Sequence, residues 1–410
     1  MTHLDPMPQE AMNSSDMPLA GMRVLDLTQA YLGPYATFLM AKAGAEVIKV
    51  EPPGGEITRL RSAVNPGATL PFALINTNKR SMTLNLKSEQ GRALFLKLVR
   101  EADVVIENFA PGVMDRLGVG WEVLRAINPR LVYASGTGFG LSGEGRDRQA
   151  MDVCIQAVSG VMSITGAPDG PPMKAGPALA DFHSGIHLYA ATVTALLRRA
   201  RTGEGGLVEV AMQETMVPAL ASSLGVLHET GEPPPATGNR HGGLALCPYS
   251  VFPARDGWVA IAAVTDGHWQ ALARAMDRPE LAQDERFRHT AERCKRMEEV
   301  DGLVGEWTSA LGKYEIAERL ALARVPVAPV RNLKEVMEDP QMLARGMLER
   351  LEDPLLGTIT VPSTPLRLHG VPLPATVRRP DVGEHTEQVL REVLGLAAAA
   401  VTDLRTAGAL

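Results

Sequence analysis

"MRVLDLTQAYLGPYATFLMAKAGAEVIKVEPPGG", Met22 to Gly55, carries the topology of the chain. A β-rich run, "MRVLDLT", is followed by an amphipathic stretch that opens at Gly33-Pro34 and closes at Gly44, and a second β-rich run, "AEVIKVE", comes next. Proline near a helix start and glycine just past its end bracket the middle segment as a helix. This is a βαβ unit. The pattern returns as "GRALFLKLVREA", "DVVIENF", "VMDRLGVGWEVLRAI" and "NPRLVYASG", helices alternating with short apolar strands. Strands apolar on both faces and separated by helices predict a parallel sheet covered on both sides, hence an α/β fold. No internal repeat occurs at a solenoid period.

The 410 residues carry a formal net charge of -6 and are 45% apolar. That is enough chain for more than one domain with a sizeable core. No basic stripe suits a nucleic acid. No apolar run reaches the roughly 18 residues of a membrane span. Cys154, Cys247 and Cys294 are widely spaced, which argues against a disulfide framework or a zinc site and fits a reducing, cytoplasmic setting.

Further along, "GFGLSG" (138–143) matches G-x-G-x-x-G formally, but no helix start follows and no acid ends a strand about 20 residues on. The first βαβ does end in Glu51, yet its turn, "TQAYLGP", is no glycine fingerprint. A nicotinamide dehydrogenase is therefore the lesser reading. A helix is expected from about Ser184, with Ile186, Tyr189, Val193 and Leu196 on one face, then a strand at "LVEVAM". "GEPPPATGNRHGG" reads as a linker, "YSVFPARDGWVAIAAV" as a hairpin turning at Asp256-Gly257, and "GEHTEQVLREVLGL" as a final helix. The expected organisation is a disordered leader (1–18), a large domain (19–225), a linker (226–244), a small α+β domain (245–328), and a linker returning to the large domain (329–410).

Within "PALADFHSG" (177–185), Asp181 stands among small and apolar residues with no basic neighbour. An Asp at this place is most simply a helix N-cap. The positive end of a helix also keeps a carboxylate ionised, and Ala180, Ser184 and Gly185 leave room for a reactive group to approach, so the same side chain suits a nucleophile.

At this point the sequence resembles the class III CoA-transferases, the CaiB/BaiF family to which the formyl-CoA transferases belong. The resemblance runs from about residue 19 to 395 and rests on several stretches in order: "LAGMRVLDLTQAYLGPYAT", "GAEVIKVEPPGG", "NKRSMTLNLKSEQGR", "ADVVIENFAPGVMDRLGVGWEVLRAINPRLVYASGTGFG", "GPALADFHSGIHLYAATVTALL", "GNRH", "ARVPVAPVRNL" and "GEHTEQVL". It implies that Asp181 is the catalytic carboxylate, attacking an acyl-CoA thioester to give a covalent aspartyl intermediate. It places CoA contacts on Gln29, Ala30, Tyr31, Leu84, Lys87, Asn108, Phe109 and Arg116, with Lys87 and Arg116 suited to the CoA phosphates. Met151 and Asp152 fall at the acyl pocket, and Gly242 and Gly243 in a glycine-containing loop that can cover the active site. His241 beside them receives no catalytic role. CoA or acyl-CoA enters as substrate, with no permanently bound cofactor and no metal. The partners implied are a carboxylic acid and a second copy of the chain, in an interlocked homodimer whose large Rossmann-like domain has a parallel sheet built from both chain ends.

One branch of the family, the α-methylacyl-CoA racemases, uses a histidine immediately before the acid that corresponds to Asp152. Met151 stands there and cannot exchange a proton, so racemisation is the secondary reading. Many transferases have Tyr at this position, so Met151 departs from them too. Arg59 and Arg61 offer themselves to a second carboxylate of the acceptor, or are simply solvated. A non-catalytic CoA-binding protein is the third reading, and the intact Asp181 argues against it.

Overall fold

The computed structural model describes residues 16–61, 69–371 and 373–410. The expected leader lies mostly outside the described residues. Its end does not: the Met17 carbonyl accepts from the Ala20 amide at 3.0 Å, and the Met17 side chain closes over Gly44.

Packing divides the chain into two compact units. The first comprises residues up to Ile155, Pro177–Met216 and Asp339–Leu410; the second comprises Gln156–Gly176 and Val217–Glu338. The small unit thus includes residues 156–176 and starts again at Val217, ahead of the linker expected from residue 226.

The first unit is organised by six strands: β1 (Arg23–Asp26), β2 (Glu46–Glu51), β3 (Arg80–Thr83), β4 (Val104–Glu107), β5 (Val132–Thr137) and β6 (Gly206–Ala211). They form one sheet in the order β3-β2-β1-β4-β5-β6, every neighbouring pair parallel. The chain winds outward from β1 through β2 to β3, then returns to β4 beside β1, so the crevice of this doubly wound sheet opens between the carboxyl ends of β1 and β4.

Leu25, Ile48, Val105 and Tyr133 point to one face and form a core with α3 (Glu89–Arg100) and α5 (Trp121–Ile127). Helix α3 starts where Ser88 accepts from the Gly91 amide at 3.0 Å and ends with Lys97 and Arg100, favourable charges at a carboxyl terminus. The other face carries α1 (Leu32–Lys42) and the long helix α7 (Leu179–Thr202), which pack on each other, with α7 also packing on β5 and β6.

The C-terminal segment returns to this unit but, among the described residues, adds no strand to the sheet, contrary to the expectation of a sheet built from both chain ends. It supplies a separate hairpin (Leu348–Asp353 with Gly357–Pro362) and helices Thr386–Leu394 and Ala398–Thr406, the last beyond the helix expected as final. Its contact with the sheet covers the outer edge of β3: the His385 amide donates to the Ser81 carbonyl at 2.8 Å, and the Thr83 amide donates to Thr386 Oγ1 at 3.0 Å. Unpaired edge groups are satisfied without extending the sheet. The second unit has its own three-stranded antiparallel sheet, Tyr249–Ala254, Gly257–Ala262 and Val327–Pro329, over a core that includes Trp269, Phe287, Val304 and Leu320.

Beneath the carboxyl end of β1 lies a buried polar network. Asp26 Oδ2 accepts from Thr37 Oγ1 at 2.6 Å and from Lys79 Nζ at 3.1 Å, while Lys79 also donates to the Pro34 carbonyl and to Asn76 Oδ1. Lys49 Nζ donates to the Thr28 carbonyl at 2.8 Å. Burial alone would raise the Asp26 pKa; the charges of Lys79 and Lys49, with the hydrogen bonds from Thr28 and Thr37, more than reverse this and bring it down to about 2. The stabilisation from this depressed pKa is fully present above the ordinary carboxylate range and is lost progressively as pH falls from about 4 through about 2. Asp26→Asn leaves Lys79 buried without its counter-ion and is expected to cost about 3–5 kcal/mol in urea denaturation; a loss below ~1 kcal/mol would show that the network does not hold the strand end.

Candidate active site

The turn after β1 supplies Gln29, Ala30 and Tyr31. The Gln29 amide donates to Asn108 Oδ1 at 2.8 Å and Asn108 Nδ2 donates to the Gln29 carbonyl at 2.9 Å, a reciprocal clamp across the crevice between β1 and β4. Ala30 adopts a positive φ of 60°, and its amide points to Glu56 Oε2 at 3.3 Å. Tyr31 precedes α1 and stacks on Phe182 at 5.7 Å between ring centroids, and Tyr35 meets the same ring edge-on at 5.0 Å. This aromatic contact joins the start of α1 to the first turn of α7.

Two glycines permit close crossings here, the first of them at this join. At Gly185 a Cβ would lie 2.7 Å from the Leu32 carbonyl oxygen, so α7 crosses the start of α1 at a distance that no side chain permits. At Gly138, after β5, a Cβ would lie 2.1 Å from that of Ala150, so only glycine lets the 148–151 segment cross the strand end.

Helix α7 begins at Leu179, earlier than the Ser184 expected from periodicity, because apolar spacing does not register a first turn made of Leu179, Ala180 and Asp181. Asp181 is therefore inside the helix and is not its N-cap. Ala178 occupies the cap position and has no side-chain acceptor. Asp152, the first residue of α6 (Asp152–Val158), takes that role from elsewhere in the chain: its Oδ1 accepts from the Ala180 amide at 2.8 Å and from the Asp181 amide at 3.2 Å.

Asp181 is partly buried. Burial raises its pKa most, the negative charge of Asp152 raises it further, and Arg61 partly offsets both, leaving it at about 7. Such a carboxylate is more basic, and a better nucleophile when ionised, than an exposed one.

The remaining predicted positions divide by environment. Lys87 is exposed before α3, and Arg116 is exposed at the end of α4 (Val113–Arg116), its guanidinium lying over Gly112. Phe109 is partly buried against the core, and its amide donates to Glu107 Oε2 at 2.8 Å. The Leu84 side chain is buried in the core. Gln29, Leu84 and Asn108 all follow the carboxyl ends of parallel strands, the edge at which open α/β sheets bind ligands. Met151 is 56% exposed.

Arg59 is neither solvated nor open to a substrate. It is fully buried, donates to both oxygens of Glu51 at 2.7 Å and to the Pro380 carbonyl at 3.0 Å, and lies 3.8 Å from the centre of the Phe72 ring. Arg61, two residues on, is exposed. In the second unit, Gly243 donates its amide to His241 Nδ1 at 3.2 Å, and His241 meets Tyr249 edge-on. Gly242 lies beside Ser223, where an added Cβ would sit 3.5 Å from Oγ.

Phe182 and Glu56 escaped sequence reading, although Phe182 directly follows the candidate carboxylate and could have been noticed there. Among the described residues, no group of three or more His, Cys, Asp or Glu is placed to hold a metal, and no helix is long and apolar enough to cross a membrane.

A partly buried carboxylate on the first turn of a helix, facing the ligand-binding edge of a doubly wound sheet, defines a site built for small molecules. The family model of CoA-transferase family III matches residues 19–386. The chain is 39% identical over 385 residues to the succinyl-CoA:mesaconate CoA-transferase of Haloarcula marismortui, covering 91% of this chain and 96% of that one. It is 37% identical over 415 residues to the formyl-CoA:oxalate CoA-transferase of Streptomyces coelicolor, covering 95% and 98%. A CaiB/BaiF family protein from Brucella suis superposes with a TM-score of 0.82 at 35% identity, over 92% of this chain and 99% of that one. The chain belongs to CoA-transferase family III and is, accordingly, a CoA-transferase.

Gly185→Val places side-chain atoms against the Leu32 carbonyl and is expected to cost about 1–3 kcal/mol and to displace the first turn of α7. Thermal denaturation together with transferase activity checks this: unchanged stability and rate would mean that the close approach of α1 and α7 is dispensable.

Proposed function

We propose that Asp181 is the nucleophile of a CoA transfer from an acyl-CoA to a short dicarboxylic acid. An ionised Asp181 oxygen attacks the thioester carbonyl, the C–S bond breaks, and CoA leaves as thiolate from a mixed anhydride. The thiolate then attacks the aspartyl carbonyl of that anhydride, releasing the donor acid as carboxylate and leaving aspartyl-CoA. The acceptor carboxylate attacks this thioester, and the returning thiolate takes the acceptor's acyl group, restoring Asp181. Each step exchanges a carboxylate for a thiolate or the reverse, so the scheme calls for no resident metal or redox group. The observation that carries the reading is the setting of Asp181: partly buried, raised to about 7, and next to the small residues Ala180, Ser184 and Gly185. Its raised pKa favours nucleophilic attack near neutral pH.

Lys87 and Arg116 would meet CoA phosphates as charge-assisted donors, with Gln29, Ala30, Tyr31, Asn108 and Phe109 along the rest of the cofactor. Mesaconate and oxalate, acceptors named for the two relatives, are both dicarboxylic acids. Arg61 is a cation near enough to act on Asp181, and a second carboxylate on the acceptor would pair with it as a charge-assisted partner. Racemisation is less well supported. The side chain at position 151 is a thioether, and Asp152 already accepts from two helix amides.

Incubation with succinyl-CoA or formyl-CoA, quenching with borohydride or hydroxylamine, and peptide mass spectrometry should find modification at Asp181. Asp181→Ala should remove that modification and lower transfer by ~10³-fold or more. Trapping should rise with pH through a midpoint near 7, since the acid form below that pH is no nucleophile. α-Proton exchange with solvent in the absence of any trapping would favour racemisation instead.

We also propose a homodimer, the arrangement implied by family resemblance and consistent with large exposed apolar side chains such as Leu322 and Leu333, at 81% and 84% exposure. Sedimentation at nanomolar concentration should still report two chains; a monomer would refute an interlocked assembly.

A further inference from the structure

Two carboxylates meet at the first turn of α7, and only one of them has a part in the transfer scheme. We infer that Asp152 is a positioning residue for Asp181, closing the amino end of the catalytic helix from outside and holding a second negative charge beside the nucleophile. This inference rests on the reading of Asp181 as the attacking group.

The geometry behind it is specific. The residue before α7, Ala178 in the cap position, has no side-chain acceptor to offer the free amides of the first turn. Asp152 Oδ1 takes those of Ala180 and Asp181, at 2.8 and 3.2 Å. A carboxylate in the first turn would otherwise turn back onto such amides and be stabilised as an anion, with a lowered pKa and reduced nucleophilicity. Asp152 occupies the donors, so Asp181 is left without them.

The same hydrogen bonds keep the Asp152 anion at the helix terminus, where the dipole favours it, while its charge opposes ionisation of Asp181. Acylation turns Asp181 into a neutral anhydride and then a neutral thioester, and the repulsion between the two side chains disappears with its charge. The free carboxylate is thereby raised in energy relative to both covalent intermediates.

The charged groups that act on Asp181 are Asp152 and Arg61, of opposite effect. The elements packed against α7 also carry titratable side chains: Tyr35 and Lys42 on α1, Tyr133 on β5, Glu209 on β6 and Glu214 on α8 (Met212–Met216), with His183 and His187 on α7 itself. None of these is among the causes that move Asp181.

The test separates charge from capping. Asn and Ser both accept from helix amides but carry no charge, so Asp152→Asn and Asp152→Ser should preserve the start of α7 while removing the repulsion. Labelling with a water-soluble carbodiimide, which consumes the protonated carboxyl, is followed at Asp181 by peptide mass spectrometry across the pH range. It needs no substrate and therefore reports Asp181 whether or not transfer occurs there. The wild-type midpoint is expected near 7, and in both variants it should fall by about 1 pH unit or more. In acyl-CoA trapping the same variants should retain reactivity further into the acid range but react more slowly at ~pH 8, where both forms of the enzyme are ionised. A midpoint unchanged in both variants overturns the inference, even with wild-type trapping at Asp181 intact. A midpoint that falls in the variants while the wild type shows no trapping supports the electrostatic role of Asp152 and removes the nucleophile reading alone.

Discussion

The buried bond between Asp26 and Lys79 is the constraint on which the site depends. It fixes the carboxyl end of β1, and through Thr37 and the Pro34 carbonyl it fixes α1 as well. The turn between them, Gln29 to Tyr31, then has little freedom, and Asn108 holds it from the other side of the crevice. An ion pair taken out of water is expensive unless its remaining donors and acceptors are met. Here Thr28, Thr37, Asn76 and the Pro34 carbonyl meet them.

From α1 the positioning passes to α7 by contact of a different kind. Gly185 lets the two helices approach to main-chain distance, and the rings of Tyr31, Tyr35 and Phe182 fill the space beside that approach. Rigid elements hold reacting groups more accurately than loops do. A carboxylate in the first turn of a 24-residue helix that is itself packed on the sheet is held in this way. Electrostatics then adds what packing cannot: the pKa of Asp181 is set by how much water the turn excludes and by the balance of Asp152 against Arg61.

Arg59 and Arg61 show how the same residue type, two positions apart, is given different work by its surroundings. Arg59 is consumed by Glu51, Phe72 and the Pro380 carbonyl, so it ties the C-terminal segment to the sheet. Arg61 remains exposed and acts on the carboxylate. Nothing in "TRLR" separates them, since both are arginines beside a loop. The difference is made by Glu51, which β2 delivers to one of them only.

Local sequence sufficed for five of the six strands of the sheet and the long helices between them, though not for β3, and for Asp181 as a carboxylate in a small, apolar setting. Both are short-range properties, set by the period of apolar residues and by nearest neighbours. Order along the chain was also enough for the family resemblance. The start of α7 was misplaced, because a turn of Leu, Ala and Asp carries no periodic signal. The true cap of that helix, the burial of Arg59, and the closing of the β3 edge by His385 and Thr386 could not be read from neighbours at all. In each of these the partners lie 29, 8 or some 300 residues apart, and only the folded sheet brings one group's unmet donors to another's acceptor. The tertiary structure therefore decided which of two acidic residues caps α7 and which lies inside its first turn, because hydrogen bonds and charge act through space and not along the chain.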